Sequence, residues 1–348
     1  MNLMIITNLN EKPELFEQTL NLIEDSLGYF EPYRFDIDFH PLMEKMNWKN
    51  NYVIFDQKNN LVVSHIGVNV RILKNSFMTS PIALLGGISV HRDYRGKGLF
   101  KKLMDYVVSK FNKKVSLFIL WSDLKELYNK FNFYEAGIVF QTGNMNLSEN
   151  KSIELFFEKT KLSSLNKSEI QELKLIYESY SEENLTYIER GDEHWDMLKN
   201  ITSCDLYLFK RKGKIQGYFF ANKGLDLQNI IHEIGIKNSF KKEFLDHISP
   251  YKLWLPEKLN HNEDFSKNTF LAFFKVGSKK LFKELVHQLS NKNIVVKNIF
   301  NESILYIDRD VQKKESIEYF LNYLLNRTDK FETNFISNPI YFSGLESI

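Results

Sequence analysis

The stretch Ile82–Phe100, IALLGGISVHRDYRGKGLF, decides how the first half of this chain folds. An apolar run reaches Val90 and then breaks into a charged turn with two glycines, His91–Gly98. From Leu99 onward apolar residues recur at spacings of three and four, which predicts an amphipathic helix. The order of strand, glycine-rich turn and helix aims backbone N–H groups and a positive helix end at one point. This arrangement suits a phosphate group.

The spacing of the glycines limits which known type of phosphate-binding loop this turn can be. Neither the dinucleotide pattern G-x-G-x-x-G nor the nucleoside-triphosphate pattern G-x-x-x-x-G-K-S/T is present. The turn instead resembles the acyl-CoA pyrophosphate loop of the GCN5-related N-acetyltransferases (GNAT), Q/R-x-x-G-x-G/A, which Arg95 and Gly98 match. Phe100 departs from that pattern, and its side chain either crowds the pyrophosphate or points into the core. An ordinary turn between a strand and a helix is the alternative interpretation.

A second motif supports the same resemblance. An apolar strand, Val115–Trp121, precedes LYNKFNF at Leu127–Phe133, which is similar to the family's L-Y-x-K-x-G-F. Asn132 replaces the usual glycine, and asparagine also accepts the left-handed conformation that ends a helix. Two motifs in the family's order identify residues 1 to about 150 as GNAT-like.

Composition fits a globular protein of two domains. The chain has 348 residues, 43% of them hydrophobic and 14% aromatic. A formal net charge of +2 gives no electrostatic case for binding nucleic acid. The single cysteine, Cys204, excludes an internal disulfide and a cysteine-based metal cage, and we expect a buried thiol and no metal site. Without a membrane-length apolar run or a signal-peptide pattern, we expect no membrane partner and a cytoplasmic location.

The predicted elements of the first half follow the GNAT order. They are a strand at Leu3–Thr7, a helix at Lys12–Leu27, a short helix at Phe39–Trp48, hairpin strands at Tyr52–Phe55 and Leu61–Ile72, the strand, turn and helix already described, and a closing strand at Val139–Leu147. A polar stretch, Ser148–Ser152, marks a domain boundary.

The second half repeats the opening of the first. A shift of about 154 residues lays the turn Phe209–Ile215 on Phe55–Leu61. Strands at Leu208–Ala221 and Leu227–Ile236 are followed by a helix at Phe240–His247. The turn between the last strand and this helix, Lys237–Ser239, lacks Arg-x-x-Gly. This half therefore looks like a degenerate GNAT copy, with an unrelated α+β domain as the alternative.

These observations together predict an α/β (α+β) protein with a mixed, mostly antiparallel central sheet flanked by helices. We expect two GNAT-like domains in tandem. Residues 1–150 form the acyl-CoA-binding catalytic domain, and residues 151–348 form a degenerate domain without a phosphate loop.

The resemblance implies where acetyl-CoA binds. The pantetheine arm would pair with an exposed strand edge, and the pyrophosphate would lie on loop amides at the helix N-terminus. A backbone N–H near Ile88–Val90 would polarise the thioester carbonyl. The implied cofactor-binding residues are Ile88, Ser89, Val90, Arg95, Gly96, Lys97, Gly98, Leu99 and Phe100.

Chemistry in the family is direct attack by an amine on the thioester, so no nucleophilic serine or cysteine is needed. Tyr128 matches the tyrosine that protonates the departing CoA thiolate, with a core tyrosine packing under Phe133 as the alternative. The identity of the general base stays open, because the central strand has no acidic residue between Ala83 and Gly87. Water, His91 or a carboxylate from elsewhere must serve.

The chain end supplies one such carboxylate. Asn338–Ile348 is apolar where most termini fray, and in some tandem GNAT enzymes the terminal carboxylate reaches the active site. We therefore expect the Ile348 carboxylate, or Glu346, as a candidate base. A strand that packs between the two halves is the alternative.

Two functions follow from the sequence. The first is an N-acetyltransferase that acts on a primary amine of a small molecule or a peptide. The second is a catalytically silent acyl-CoA-binding or interaction module of GNAT fold, which Phe100 and the missing strand acid favour.

Overall fold

The computed structural model describes residues 4–149, 151–256, 267–325 and 338–347. The strands are Met4–Asn8 (β1), Asn51–Asp56 (β2), Leu61–Asn75 (β3), Met78–Val90 (β4), Leu117–Leu120 (β5), Tyr134–Thr142 (β6), Glu158–Thr160 (β7), Tyr187–Ile188 (β8), Asp205–Arg211 (β9), Lys214–Ala221 (β10), Ile231–Ile236 (β11), Leu253–Leu255 (β12), Lys267–Val276 (β13), Ile294–Ile299 (β14), Ser303–Asp308 (β15) and Val311–Ser316 (β16). The α-helices are Phe16–Leu27 (α1), Phe35–Asp38 (α2), His40–Met43 (α3), Leu99–Phe111 (α4), Lys125–Asn129 (α5), Lys167–Asn184 (α6), Asp192–Leu198 (α7), Lys241–Ile248 (α8), Lys279–Leu289 (α9) and Ile317–Leu325 (α10).

Within the described residues, thirteen strands form one large sheet. The order across it is β1-β2-β3-β4-β5-β13-β6-β12-β11-β10-β9-β7, and β8 pairs with β3 outside this path. The pairs β4–β5 and β11–β12 are parallel, and the other neighbouring strands are antiparallel. Helices flank this sheet, so the predicted fold class is confirmed.

The two halves of the chain share strands in the middle of this sheet. Strand β13 lies between β5 and β6, where Phe273 pairs with Leu120 on one side and with Glu135 on the other. The outer edge of β6 pairs with β12, at Phe140 and Leu255. A strand from beyond residue 150 therefore completes the sheet of the first half.

The two faces of the sheet around β4 bury different cores. Leu85 and Phe118 pack with Leu103 of helix α4 in a cluster on one face. On the opposite face Leu84 joins a larger cluster that includes Leu345 near the end of the chain. The chain end is therefore part of the core beneath the central strands.

Local predictions were confirmed where turn chemistry was clear. Strand β4 gives way to helix α4 through the glycine turn, and β9 and β10 are joined at Lys212 and Gly213, both with positive φ. The predicted helix at Phe39–Trp48 is wrong as a single helix. It breaks at Glu44 (ψ 139°), and the side chains of Asn47 and Trp48 donate hydrogen bonds to the carbonyls of Leu42 and Met43.

The closing strand and the C-terminal region also differ from expectation. The predicted strand Val139–Leu147 is displaced, because β6 spans Tyr134–Thr142 and begins two residues after Asn132, whose φ is +60°. A separate sheet, β14-β15-β16, is packed with α9 and α10, and the sequence did not reveal it. None of the helices in the described parts of the chain combines the length and apolar character that crossing a bilayer requires.

Candidate active site

A bulge in β4 marks the centre of the candidate site. Gly67 of β3 faces Gly86, but His65 faces Ser89, so β4 carries one extra residue between them. Gly87 takes a φ of +58°, and a Cβ there would lie 3.1 Å from the His65 ring. Glycine is therefore needed at this position both for conformation and for space.

One edge of strand β4, the edge that faces β5, has no pairing strand among the described residues along Leu85–Val90. Its parallel pairing with β5 covers Ile82, Ala83 and Leu84, whereas no described strand pairs with the β5-side edge of Leu85–Val90. The backbone of that segment is thus available to an extended ligand. Ile88, Ser89 and Val90, which the resemblance assigns to acyl-CoA, all lie on it.

The glycine turn forms an exposed loop at the end of β4. Gly96 and Gly98 have φ values of +75° and +74°, and helix α4 starts at Leu99 directly after Gly98. The first N–H groups of a helix have no partner inside it, so those of α4 point toward the loop. Arg95 Nε donates to the carbonyl of Val90 at 3.3 Å, and Lys97 Nζ lies 4.5 Å from the Tyr94 ring centroid.

A neighbouring hairpin turn holds this loop in place. The Tyr94 hydroxyl donates to Asp56 Oδ2 at 2.8 Å and accepts from Asn59 Nδ2 at 2.8 Å. The hydrogen bond from Tyr94 lowers the pKa of Asp56. The turn between β2 and β3 therefore braces the loop from the side.

Phe100 points into the core. Its ring meets those of Phe131 and Tyr128 edge-on, at centroid distances of 4.8 and 6.0 Å. The side chain is half-buried against the cluster that helix α4 covers. The departure from the loop pattern is thus accommodated by packing against Tyr128 and Phe131.

Tyr128 packs against Phe100 and is buried. Its ring contacts those of Phe100, Phe133 and Phe273. Burial raises the pKa of Tyr128 to about 12, and a hydrogen bond with Ser122 opposes the rise. The phenol is therefore protonated at pH 7, as a proton donor must be. The packing under Phe133 and the proton-donor role both fit this position.

The structure describes two of the candidate bases, His91 and Glu346. His91 begins the loop, where its Nδ1 accepts the N–H of Asp93 at 3.3 Å. Ile348 lies outside the described residues. Glu346 is 3% exposed and is held by other side chains, so its carboxylate is engaged in the core.

Glu346 belongs to a buried network of charges that joins the chain end to both halves. Arg190 Nε donates to Glu346 at 2.7 Å, and the same guanidinium binds both oxygens of Glu233 at 2.8 and 2.6 Å. Arg71 of β3 lies 3.9 Å from Glu346. Burial alone would raise the pKa of Glu346, but His194 and the two arginines outweigh it and hold the pKa well below its usual value.

The tautomer of His194 follows from its neighbours. A guanidinium has hydrogen-bond donors and no acceptor, so His194 Nδ1 accepts from Arg71. Its hydrogen is then on Nε2, which donates to Glu346 at 3.3 Å. The ring thus links an arginine of the first half to the chain end.

Lys223 fixes the same chain end from another side. Its Nζ donates to the carbonyls of Gly344 and Ser347, both at 2.7 Å, and lies 4.2 Å from the Phe39 ring centroid. Burial lowers the pKa of Lys223 to about 8.

Apart from Glu346, sequence reasoning did not single out these buried polar residues, although His65 and Glu233 carried a signal. His65 stands in the apolar strand LVVSHIGV, and Glu233 stands in IIHEIGI. A charged or polar side chain inside an apolar strand requires a buried partner. Nothing comparable distinguished Arg71 or Arg190. Among the described residues, no group of three or more His, Cys, Asp or Glu is placed to hold a metal ion.

Comparison with known proteins places this geometry in a family. Residues 10–136 match the family model described as "Acetyltransferase (GNAT) domain". A Saccharomyces cerevisiae protein described as putative and uncharacterized, YIM2, is 28% identical over 96 residues, which are 26% of this chain and 64% of that protein.

Two solved structures resemble nearly the whole chain. Eis1 from Mycobacterium abscessus has a TM-score of 0.61 at 10% identity and covers 98% of this chain and 99% of its own. A probable N-acyltransferase from Enterococcus faecalis V583 has a TM-score of 0.60 at 12% identity and covers 93% and 90%. At such identities the likeness concerns the fold alone. Residues 10–136 thus match the domain model of the GNAT acetyltransferases, and the described chain has the fold of a GCN5-related N-acetyltransferase.

Proposed function

We propose that the protein is an N-acyltransferase that transfers an acetyl or other acyl group from acyl-CoA to a primary amine of a small molecule or a peptide. The observation that carries the proposal is the continuity of three features along β4. The bulge at Gly87, the open edge of Leu85–Val90 and the glycine loop that starts helix α4 follow one another directly.

The reaction proceeds by direct attack in a ternary complex. The neutral amine nitrogen forms a bond to the thioester carbonyl carbon, and the charge that develops on the oxygen is met by a backbone N–H of β4. The C–S bond then breaks and CoA leaves as a thiolate, which takes a proton from Tyr128. The nitrogen gives its proton to water, His91 or a carboxylate, and the sequence leaves these three open.

We also propose that residues 1–150 carry the acyl-CoA site and residues 151–348 form a degenerate copy. Strands β9, β10, β11 and β12 follow one another in the sheet as β2, β3, β4 and β5 do. In each set the last two strands are parallel to each other. After β11 the chain makes a short turn at Asn238–Phe240 instead of a glycine loop. The shared strands β6 and β13 bind the two units together.

Calorimetric titration with acetyl-CoA tests the cofactor site. The wild type should bind, and Gly98→Glu should not, because a negative side chain would stand where the pyrophosphate lies. Gly213→Glu is the matched control, because Gly213 has nearly the same φ (+75°) and equally open surroundings in a hairpin far along the chain. Gly98→Ala adds the backbone strain of a Cβ without the charge and should retain measurable binding.

A screen of amines for CoA release then separates transfer from silent binding. Release that depends on an amine supports the transferase. Binding of acetyl-CoA with no release from any amine supports the silent module, which the absence of an acid on β4 between Ala83 and Val90 favours. A wild type that binds no acetyl-CoA overturns the transferase and the acyl-CoA-binding module, and leaves the interaction module of GNAT fold.

A further inference from the structure

His65 is a buried histidine beside the bulge, outside any role considered above. The residue is fully buried, with Nδ1 2.7 Å from the carbonyl oxygen of Gly87 and Nε2 3.0 Å from Asn51 Oδ1. Asn51 Nδ2 donates to the carbonyls of Leu42 and Asn47, which fixes the orientation of its amide. The ring therefore sits in a rigid polar slot between β2 and β4.

The ring is neutral and its hydrogen is on Nδ1. Burial lowers the pKa of His65 to about 4, and the hydrogen bond with the Gly87 carbonyl opposes this shift only in part. A neutral imidazole has one hydrogen, and both of its nitrogens face oxygen acceptors here. The shorter distance, to Gly87, places the hydrogen on Nδ1. His65 therefore donates to the Gly87 carbonyl.

Peptide geometry then sets the direction of the next N–H. The peptide unit between Gly87 and Ile88 is planar and trans, so its N–H points opposite to its C=O. Because the carbonyl is drawn toward His65 on β3, the N–H of Ile88 points away from β3.

Strand alternation gives the same direction independently. The N–H of His91 donates to the carbonyl of Val63 on β3, and in an antiparallel pair the residues that face a neighbour lie two apart. Ser89 therefore also faces β3, whereas Ile88 and Val90 face the opposite edge. That edge is the one β5 leaves uncovered.

We infer that His65 is a positioning residue, which holds the Gly87–Ile88 peptide so that the Ile88 N–H meets the acyl carbonyl oxygen at the open edge of β4. The inference rests on the proposed function, because it needs a bound thioester. The hydrogen bond from His65 also polarises the peptide and strengthens its N–H as a donor. Without this hydrogen bond the peptide at the Gly87 bulge would be free to rotate and point its N–H in another direction. The hydrogen bond from His65 prevents that rotation.

The infrared band of the bound thioester carbonyl tests the inference without knowledge of the acceptor. The probe is acetyl-CoA labelled with carbon-13 at the acetyl carbonyl. Hydrogen bonding to the carbonyl oxygen lowers its stretching frequency, so the band should shift downward in the wild-type complex. In His65→Leu the shift should fall below about half, since an oriented donor is lost. The affinity for acetyl-CoA should change little, because the glycine loop is untouched.

Two amide variants keep the test informative if His65→Leu fails to fold. In His65→Asn the amide nitrogen takes the place of Nδ1 and should restore the shift. In His65→Gln it takes the place of Nε2 and should not. His232→Leu is the control for removing a fully buried histidine, and it should leave the band unchanged.

The possible failures are distinguishable. If the wild type does not bind acetyl-CoA, the proposed function falls and the inference falls with it. If the wild type binds and shifts the band, but the shift is the same in His65→Leu or in both amide variants, the inference alone is overturned. An equal loss of the shift in His232→Leu overturns it as well.

Discussion

Neutralising Glu346 should destabilise the whole protein. Its carboxylate is 3% exposed and lies among the Arg190, His194 and Arg71 side chains. In Glu346→Gln the shape is kept, but Arg190 is left with Glu233 as its carboxylate partner and Arg71 loses the carboxylate that lies 3.9 Å away. Removing one partner of a buried ion pair costs about 3–5 kcal/mol, because the other charge stays buried without compensation. This lowers the ratio of folded to unfolded molecules by a factor of roughly 10²–10⁴.

Urea unfolding followed by circular dichroism measures the effect. The matched control is Asp105→Asn, which breaks an exposed pair with Lys101, four residues earlier on helix α4. That change should cost at most about 0.5 kcal/mol. A loss of less than about 1 kcal/mol in Glu346→Gln would refute the reasoning, since the charge would then be compensated by something other than the network.

The same network changes how the role of the chain end must be tested. Deleting the last three residues removes Glu346, so loss of turnover would report unfolding as well as chemistry. Deleting Ile348 alone leaves Glu346 in the chain and moves the terminal carboxylate onto Ser347, whose backbone oxygen Lys223 holds. That single deletion is the cleaner test of the Ile348 carboxylate: unchanged turnover would show that a carboxylate at this position is not required.

Three further predictions concern the loop, the acid limit of stability and the proton donor. Tyr94→Phe removes the hydrogen bonds to Asp56 and Asn59 but keeps the ring under Lys97, so the acetyl-CoA Kd measured by calorimetry should rise about 5–10-fold; an unchanged Kd would show that the loop needs no brace. Burial lowers the pKa of both His65 and His232 to about 4, so below about pH 6.5 the unfolded chain binds more protons than the folded one. The free energy of unfolding should therefore fall as the pH drops toward 4, by roughly 3 kcal/mol for each ring at pH 4. Urea midpoints at pH 7, 5.5 and 4 check this, and double replacement of the two histidines by glutamine should flatten the dependence. Tyr128→Phe should lower turnover by about 10²–10⁴-fold, with the acetyl-CoA Kd unchanged within about twofold; full turnover would leave Tyr128 a packing residue.

The sequence predicted the features of the site that depend on local conformation. The sequence predicts a strand, a turn with Gly96 and Gly98 and an amphipathic helix, because glycine position and apolar spacing each reflect the local backbone conformation. Asn132, with φ of +60°, ends the α5 segment as predicted. These signals need no partner from elsewhere in the chain.

Elements that depend on distant partners were beyond such reasoning. The helix expected at Phe39–Trp48 was broken by side chains of Asn47 and Trp48, which bind backbone carbonyls a turn earlier. Periodicity alone does not register that competition. The strand expected at Val139–Leu147 begins earlier because β13 and β12 pair along both edges of β6.

The sequence by itself determined the GNAT character of the first half, the position of the glycine loop and the mostly antiparallel sheet. Tertiary structure alone decided that β13 enters the first half's sheet, that Glu346 meets Arg71 and Arg190, and that His65 holds the Gly87 carbonyl. The physical reason is range. A positive φ or an apolar period acts within a few residues, whereas a buried charge or a sheet edge is satisfied by whichever group the whole fold brings to it.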